Sequence, residues 1–337
     1  MAKRGLYDIN QCALYKLGSK ARLAQILGVP KARLLILVRR SENYRVFTLP
    51  QEICEFTGKV RKERLVQEPK PELRRVHERI QRLLSRIRPP EYGHAAVKGR
   101  SYRTNAEAHL NGPRIATFDV RRFYPSTSRS AVRNFFSEQL CCAPDVADLL
   151  AQLCCWQNVK ESNSSSGLPT GSPLSPILSL YANRPMFDVL NDYAGRHQLV
   201  FTCYVDDLTF SGEMLPAGIS KFVEKIVTAG GHTLATEKTR LFRRNQVKHV
   251  TGVVLSNSQV KVPHARFLKA RAIASAITAH ETADARYRLL LQRKLAGLLG
   301  EAAFLDSRFA GWANRAYADL RAVQAEVHMA ESLHVES

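Results

Sequence analysis

Hydrophobic and polar positions along this chain change period several times, and each change marks an element. Residues 115–119, Ile-Ala-Thr-Phe-Asp, form a short apolar run closed by one acid, while 201–212 alternate and are rich in β-branched and aromatic residues. The first reads as a strand that turns at Pro125, the second as strand, turn, strand with acids at the tip. A helical period takes over at Leu73, Val76, Ile80, Leu83, Leu84 and Ile87, with Arg74, Arg75, Arg79, Arg82 and Arg86 largely off that stripe. This predicts a basic amphipathic helix. Ahead of it, residues 59–66 alternate basic and apolar side chains as one half-exposed strand, ended by Pro69 and Pro71. Residues 19–37 read as helix, Gly28 turn, helix. Residues 250–255 and 259–263 read as a hairpin, and 265–280, 283–305 and 312–333 as a basic, Ala- and Leu-rich helical bundle.

The chemistry concentrates at Tyr204-Val205-Asp206-Asp207, two adjacent carboxylates at the tip of an apolar hairpin. Uncompensated like charges cost energy there, and a divalent cation removes that cost while supplying a Lewis acid for phosphoryl transfer. Asp is also a favoured turn residue, so the tetrapeptide alone does not decide. Asp119, at the end of its own apolar strand, is the natural partner of Asp206. Between the two acidic stretches, Gly and Pro in residues 167–176 fix a bend before an apolar helix, and Ser162 to Gly167 is a short polar loop leading into it.

The order of strand acid, Gly-Pro bend with helix, and YxDD hairpin resembles the palm of reverse transcriptases. Asn105-Ala-Glu-Ala-His109 and Val250-Thr251-Gly252 match the NAxxH and VTG signatures of the retron members, and the resemblance runs from about Tyr44 to the C-terminal helices. It implies a right-hand α+β polymerase: a helical lead-in over 1–58, fingers and an antiparallel palm over 59–263, and a helical, RNA-binding thumb over 264–337. Asp119 and Asp206, with Val120 and Asp207 also in the metal set and all three acids catalytic, are expected to hold two Mg2+ ions, for which Mn2+ substitutes. Asp207 points elsewhere and matters less directly. The resemblance assigns the incoming triphosphate to Lys62 or Arg64, the steric gate against a ribose 2′-OH to Tyr124, and protonation of pyrophosphate to Lys238. Thr170, Gly171 and Ser172 meet the templating pair, although Thr170 stands where the commonest pattern has Gln. Asn105 and His109 become an RNA-recognition or loop-ordering site, and Val250, Thr251 and Gly252 grip the primer end.

The implied reaction copies a cognate structured non-coding RNA with deoxyribonucleoside triphosphates, starting from an internal guanosine 2′-OH, to give branched RNA–DNA. A separate effector protein and antiphage defence are implied with it. An intron-type or diversity-generating reverse transcriptase, or a non-catalytic nucleic-acid-binding protein, stays open beside that reading.

Composition agrees. Fifty Lys and Arg against thirty Asp and Glu give a net charge of +20, suited to a partner rich in phosphates. The basic residues are spread along the chain, which fits a membrane surface less well, and no apolar run approaches the length of a span. A cytoplasmic protein is expected. Seven cysteines, two vicinal pairs among them and no CxxC, read as small buried hydrophobes rather than a zinc site. The 19–37 helix pair resembles a helix-turn-helix DNA reader with Lys31 and Arg33 on its second helix. Its unbroken apolar run from Leu34 to Val38 favours burial instead.

Overall fold

The computed structural model describes residues 5–157, 166–256, 258–279 and 284–335. In chain order the elements begin with α1 (Lys20–Leu27), α2 (Lys31–Arg39), β1 (Tyr44–Leu49), β2 (Glu52–Ile53), β3 (Val60–Arg61), β4 (Arg64–Pro69), α3 (Pro71–Leu84), α4 (Tyr102–Glu107) and β5 (Arg114–Asp119). Next come α5 (Phe123–Ser126), α6 (Arg129–Asn134), α7 (Pro144–Cys154), α8 (Ser175–Ala182), α9 (Arg184–Arg196), β6 (Val200–Tyr204), β7 (Asp207–Gly212) and α10 (Ile219–Ala229). The remainder is β8 (Arg240–Phe242), β9 (Lys248–Val250), β10 (Val253–Ser256), β11 (Gln259–Lys261), α11 (His264–Ala279), α12 (Ala285–Leu305) and α13 (Ala310–Val335). No helix among the described residues is long and apolar enough to cross a membrane.

The chain divides into two compact units, Met1–Pro50 with Glu63–Gln246, and Gln51–Lys62 with Val247–Ser337. The division departs from the expected boundaries in two ways. The second unit begins at Val247 rather than at 264, and the β2–β3 hairpin joins it. Residues 59–66 are therefore not one strand: β3 pairs with β2, and β4 pairs antiparallel with β1 from Tyr44↔Pro69 to Leu49↔Arg64.

The centre of the first unit is an antiparallel sheet in the order β6-β7-β5-β8. Its two faces follow from alternation along the strands. Phe118, Phe201, Leu208 and Phe210 are buried on one face, with Phe118 edge-on to Phe210 at 6.0 Å between ring centroids. Asp119, Thr202, Asp207, Thr209 and Ser211 belong to the other face by register. Three of those hydroxyl residues, Thr202, Thr209 and Ser211, are buried too. The NAxxH segment meets two of them: His109 Nδ1 lies 2.7 Å from Ser211 Oγ and its Nε2 2.7 Å from Thr202 Oγ1. The loop before α4 adds to the sheet edge, as Cys203 N–H donates to Tyr92 O (2.8 Å) and His94 N–H to Cys203 O (3.0 Å).

The stripe of α3 is buried as its spacing predicts, from Leu73 through Leu84, and Pro71 sits in its first turn. The α1–α2 pair closes on Gly28 at its C-cap and buries Leu34 and Leu37, while Arg33 pairs with Glu72. That use of Arg33 favours packing over DNA reading. In the second unit, β9, β10 and β11 form an antiparallel meander, followed by the three long helices. Val250↔Val253 pair across Thr251 (φ +46°) and Gly252 (φ +74°), the two-residue turn that needs left-handed backbone at both centres. All seven cysteines are free; Cys141 is exposed and Cys54 half-buried, so the buried-hydrophobe reading holds for the other five. Cys54 differs from the rest, its thiol lowered to about 7 chiefly by a hydrogen bond with Thr57, against the opposing effect of burial. The loop read at 162–167 lies outside the described residues up to Ser165.

His77, His109 and His232 are buried with both ring nitrogens engaged, and burial lowers them to about 4, 3 and 4. A depressed imidazole stays neutral in the native state while the unfolded chain takes up a proton below its ordinary value of 6.5. Stability contributed this way is complete above pH 6.5 and is lost as pH falls toward the folded values. In His109→Gln, the slope of unfolding free energy between pH 6 and 5 should shrink by close to one proton, about 1.4 kcal/mol per pH unit. Urea denaturation at each pH reads it, and an unchanged slope would contradict neutral burial.

Candidate active site

The β6–β7 hairpin turns through only two residues, since Tyr204 pairs with Asp207. Val205 carries the turn at φ +58°, a conformation that suits glycine and strains a β-branched residue, of the order of 1–3 kcal/mol. Two bonds over-determine it: the Tyr204↔Asp207 pairing and Val120 N–H donating to Asp206 O at 2.9 Å. Val120 is thus the backbone clamp of the turn. Its side chain is buried and apolar, so its carbonyl is the one group it can offer a metal.

Asp207 is the register partner of Asp119, and directly opposed residues share a face of the sheet. It does not point away from the pair, as its place in the sequence suggested. Burial, then Asp206, then Asp119 push its carboxyl up to about 7. Burial raises Asp206 as well, with Asp119 adding repulsion and Lys238 and Arg64 opposing it. Three mutually repelling carboxylates thus gather where β5 ends and β7 begins. Lys238 Nζ donates to both oxygens of Asp119, at 2.9 and 2.8 Å, and this bond raises the lysine.

The donor set suits a hard divalent cation, being carboxylate oxygens held in excess negative charge. The Lys238 ammonium is a stand-in positive charge on Asp119. As they stand, no three His, Cys, Asp or Glu side chains among the described residues converge on one point.

Beside the carboxylates lies a cavity of about 1020 Å3 whose lining includes Arg64, Gln67, Tyr124, Leu168, Thr170 and Asp206. After β5 the chain passes Arg122 in left-handed backbone (φ +48°) and enters α5, which holds Pro125. Phe123 is buried against Phe187 and His232, whereas Tyr124 is half-buried, its hydroxyl raised by burial and by Asp206. Gly167 explains how the bend reaches this point. A Cβ there would lie 2.0 Å from Pro125 O, so only glycine lets the bend pass, and Leu168 N–H then donates to Tyr124 O at 3.0 Å. Under the site, His232 bridges Ser126 Oγ (2.7 Å) and Asn183 Oδ1 (2.8 Å), and Asn183 donates to Thr127 Oγ1 (2.9 Å).

Several expected residues lie elsewhere. Ser172 is buried, with its hydroxyl 2.7 Å from His77 Nδ1 and accepting from Leu174 N, so it serves the bend and not the cavity. Gly171 likewise docks by donating its N–H to Gln67 O at 3.1 Å. Asn105 and His109 are fully buried, which rules out RNA contact from where they lie and leaves the ordering role. Lys62 and Val250 to Gly252 belong to the second unit; Arg64 belongs to the first and lines the cavity. Sequence reading passed over Gln67, His77 and His232. His77 left a signal, as it sits on the apolar stripe of α3 between Val76 and Ile80.

A family model described as reverse transcriptase (RNA-dependent DNA polymerase) matches residues 29–263. The retron Ec86 reverse transcriptase of Escherichia coli is 26% identical over 249 residues, 73% of this chain and 73% of that one. The retron Se72 reverse transcriptase of Salmonella heidelberg is 33% identical over 193 residues, 57% of this chain and 47% of that one. The retron Mx65 reverse transcriptase of Myxococcus xanthus is 29% identical over 232 residues, covering 65% and 52%. Among solved structures, a foamy viral protease–reverse transcriptase in complex with RNA/DNA hybrid aligns with 77% of this chain and 27% of its own, at TM-score 0.43 and 15% identity.

The raised carboxyl of Asp207 binds its proton more tightly in the native state than when unfolded, so its contribution to stability falls as pH climbs from about 4 to about 7. Asp207→Asn removes that loss. In metal-free buffer the variant should gain melting temperature over the parent as pH rises through this range, about 2–4 °C for each kcal/mol relieved. Thermal melts at pH 5, 7 and 8 test it; a gap that stays constant or closes would contradict the charge crowding.

Proposed function

This chain belongs to the reverse transcriptase (RNA-dependent DNA polymerase) family and is of the retron type, and from that premise we propose that it copies a cognate structured non-coding RNA into DNA. The observation that carries the proposal is the meeting of Asp119, Asp206 and Asp207 at the ends of paired strands, beside a cavity large enough for a nucleoside triphosphate. Asp119, Asp206 and Asp207, with the Val120 carbonyl, would hold Mg2+, two ions in all, with Mn2+ as a substitute. Bound there, the metal supplies Lewis-acid stabilisation to the phosphoryl group and acidity to the attacking hydroxyl.

The chain's own residues do the rest. Arg64, rather than Lys62, meets the triphosphate, because it lines the cavity and its charge reaches Asp206. Tyr124 presents its ring to the sugar and excludes a 2′-OH, giving preference for deoxyribonucleotides; its backbone bond to Leu168 fixes the ring's base. Lys238, a strong cation while bound to Asp119, is the proton donor toward pyrophosphate. In the second unit, the Val250–Gly252 turn and the basic helices contact primer and RNA. The resemblance to retron enzymes supports priming from an internal guanosine 2′-OH, a branched RNA–DNA product, a cytoplasmic setting and a defence role with a separate effector protein.

Asp206→Asn keeps shape and removes one ligand charge. It should lower extension of a primed RNA template with Mg2+ by at least about a hundredfold while RNA binding holds, and near-parent extension would remove Asp206 from the chemistry. For the cognate-RNA reading, the measurement is a competition between RNA encoded beside the gene and an unrelated RNA of equal length. A preference that survives raised salt is expected, since purely electrostatic binding weakens steeply and treats both alike. Equal affinities at low and high salt would leave a general reverse transcriptase.

A further inference from the structure

Gln67 is the one buried, uncharged polar side chain of β4, 103 residues from the bend it touches. Its Oε1 accepts from the backbone N–H of Thr170 at 3.1 Å, and the Thr170 hydroxyl lies 3.1 Å from both Oε1 and Leu65 O. Its own carbonyl accepts from Gly171 N–H at 3.1 Å. A backbone N–H can only donate, so these contacts settle which end of the amide is oxygen. The nitrogen end must then face the other way.

That end opens on the cavity that Gln67 lines with Arg64, Tyr124 and Asp206, and its nitrogen is not among the buried polar atoms left without a partner. A donor held in direction by its own amide oxygen and open to the cavity is met there by water or by a ligand. The cavity also holds Asp206, on which the chemistry depends, so whatever reacts there comes within reach of this donor.

We propose that Gln67 is a substrate-contacting specificity residue whose Nε2 donates a hydrogen bond to the sugar or phosphate of the incoming deoxyribonucleoside triphosphate, with Thr170 holding the amide in that orientation. The inference rests on the polymerase reading and names one more contact of the same site. The sugar and phosphate are chosen over the base for a chemical reason. A rigid donor set against the major-groove edge of a base meets an acceptor on some bases and a donor on others, whereas a template-directed polymerase must accept all four equally. Thr170 acts through Gln67 and is a positioning residue.

The test compares Gln67→Leu and Gln67→Glu with the parent in primer extension on RNA templates, measuring KM and kcat for each of the four nucleotides. Gln67→Leu loses both acceptor and donor without adding charge; Gln67→Glu keeps the acceptor for Thr170 and loses the donor. Both should raise KM about three- to tenfold, alike for all four nucleotides, with kcat within about twofold of the parent. Thr170→Val should raise KM less, and adding it to Gln67→Leu should raise KM no further, because it acts through the amide. KM unchanged in Gln67→Glu overturns the donor role and leaves only an anchor for the bend. A rise in Gln67→Glu with none in Gln67→Leu reduces the effect to added charge, and a rise for one base alone moves the contact to the base; each overturns the proposal. Should Gln67→Leu fail to fold, Gln67→Met, equally uncharged and without a donor, takes its place in the comparison. A parent that extends no primer at all would instead refute the polymerase reading itself.

Discussion

Three carboxylates are held within mutual reach by backbone hydrogen bonds, against their own repulsion, and the local structure is arranged around tolerating that. The register that places Asp119 opposite Asp207 and the Val120 N–H bond to Asp206 O leave the acids no independent way to separate. The cost appears as raised carboxyls at Asp206 and Asp207, as left-handed backbone at Val205, and as a lysine drawn onto Asp119. Strain and charge crowding of this kind persist only where surrounding contacts over-determine the geometry.

Those surrounding contacts are largely buried histidines acting as two-sided braces. His109 ties β6 to β7 through Thr202, three residues before Val205, and Ser211, five residues after Asp206. His232 ties α5 to the start of α9 through Ser126 and Asn183, with its ring against Phe123. His77 joins α3 to the bend through Ser172 and to α7 through Leu153 O. Each imidazole is neutral and uses one nitrogen as donor and the other as acceptor, which suits hydroxyl partners able to play either part.

Where a feature is set by neighbours in the chain, it was legible in the sequence. The alternation of 201–212, the two adjacent acids, the strand ending at Asp119 and the stripe of α3 all have local causes, and they appear where the pattern puts them. What escaped is set by partners far away. Nothing near Gln67 announces Thr170, and nothing in NAxxH reveals that its histidine faces Thr202 rather than RNA. The basic–apolar alternation of 59–66 looked like a single strand because strand period does not say which partner each half takes. Asp207 was misplaced for a related reason: neighbouring residues on a strand do alternate, but Asp206 is in the turn, and register alone puts Asp207 opposite Asp119.

On the proposed function, the crowded carboxylates form a site for divalent metal. Mn2+ binding followed by electron paramagnetic resonance, in the full chain without nucleic acid, tests it most directly. The parent should take up Mn2+ saturably and release it to excess Mg2+, and a variant carrying both Asp119→Asn and Asp206→Asn should lose that uptake while remaining folded. Equal, saturable uptake by the parent and the folded variant would contradict the account.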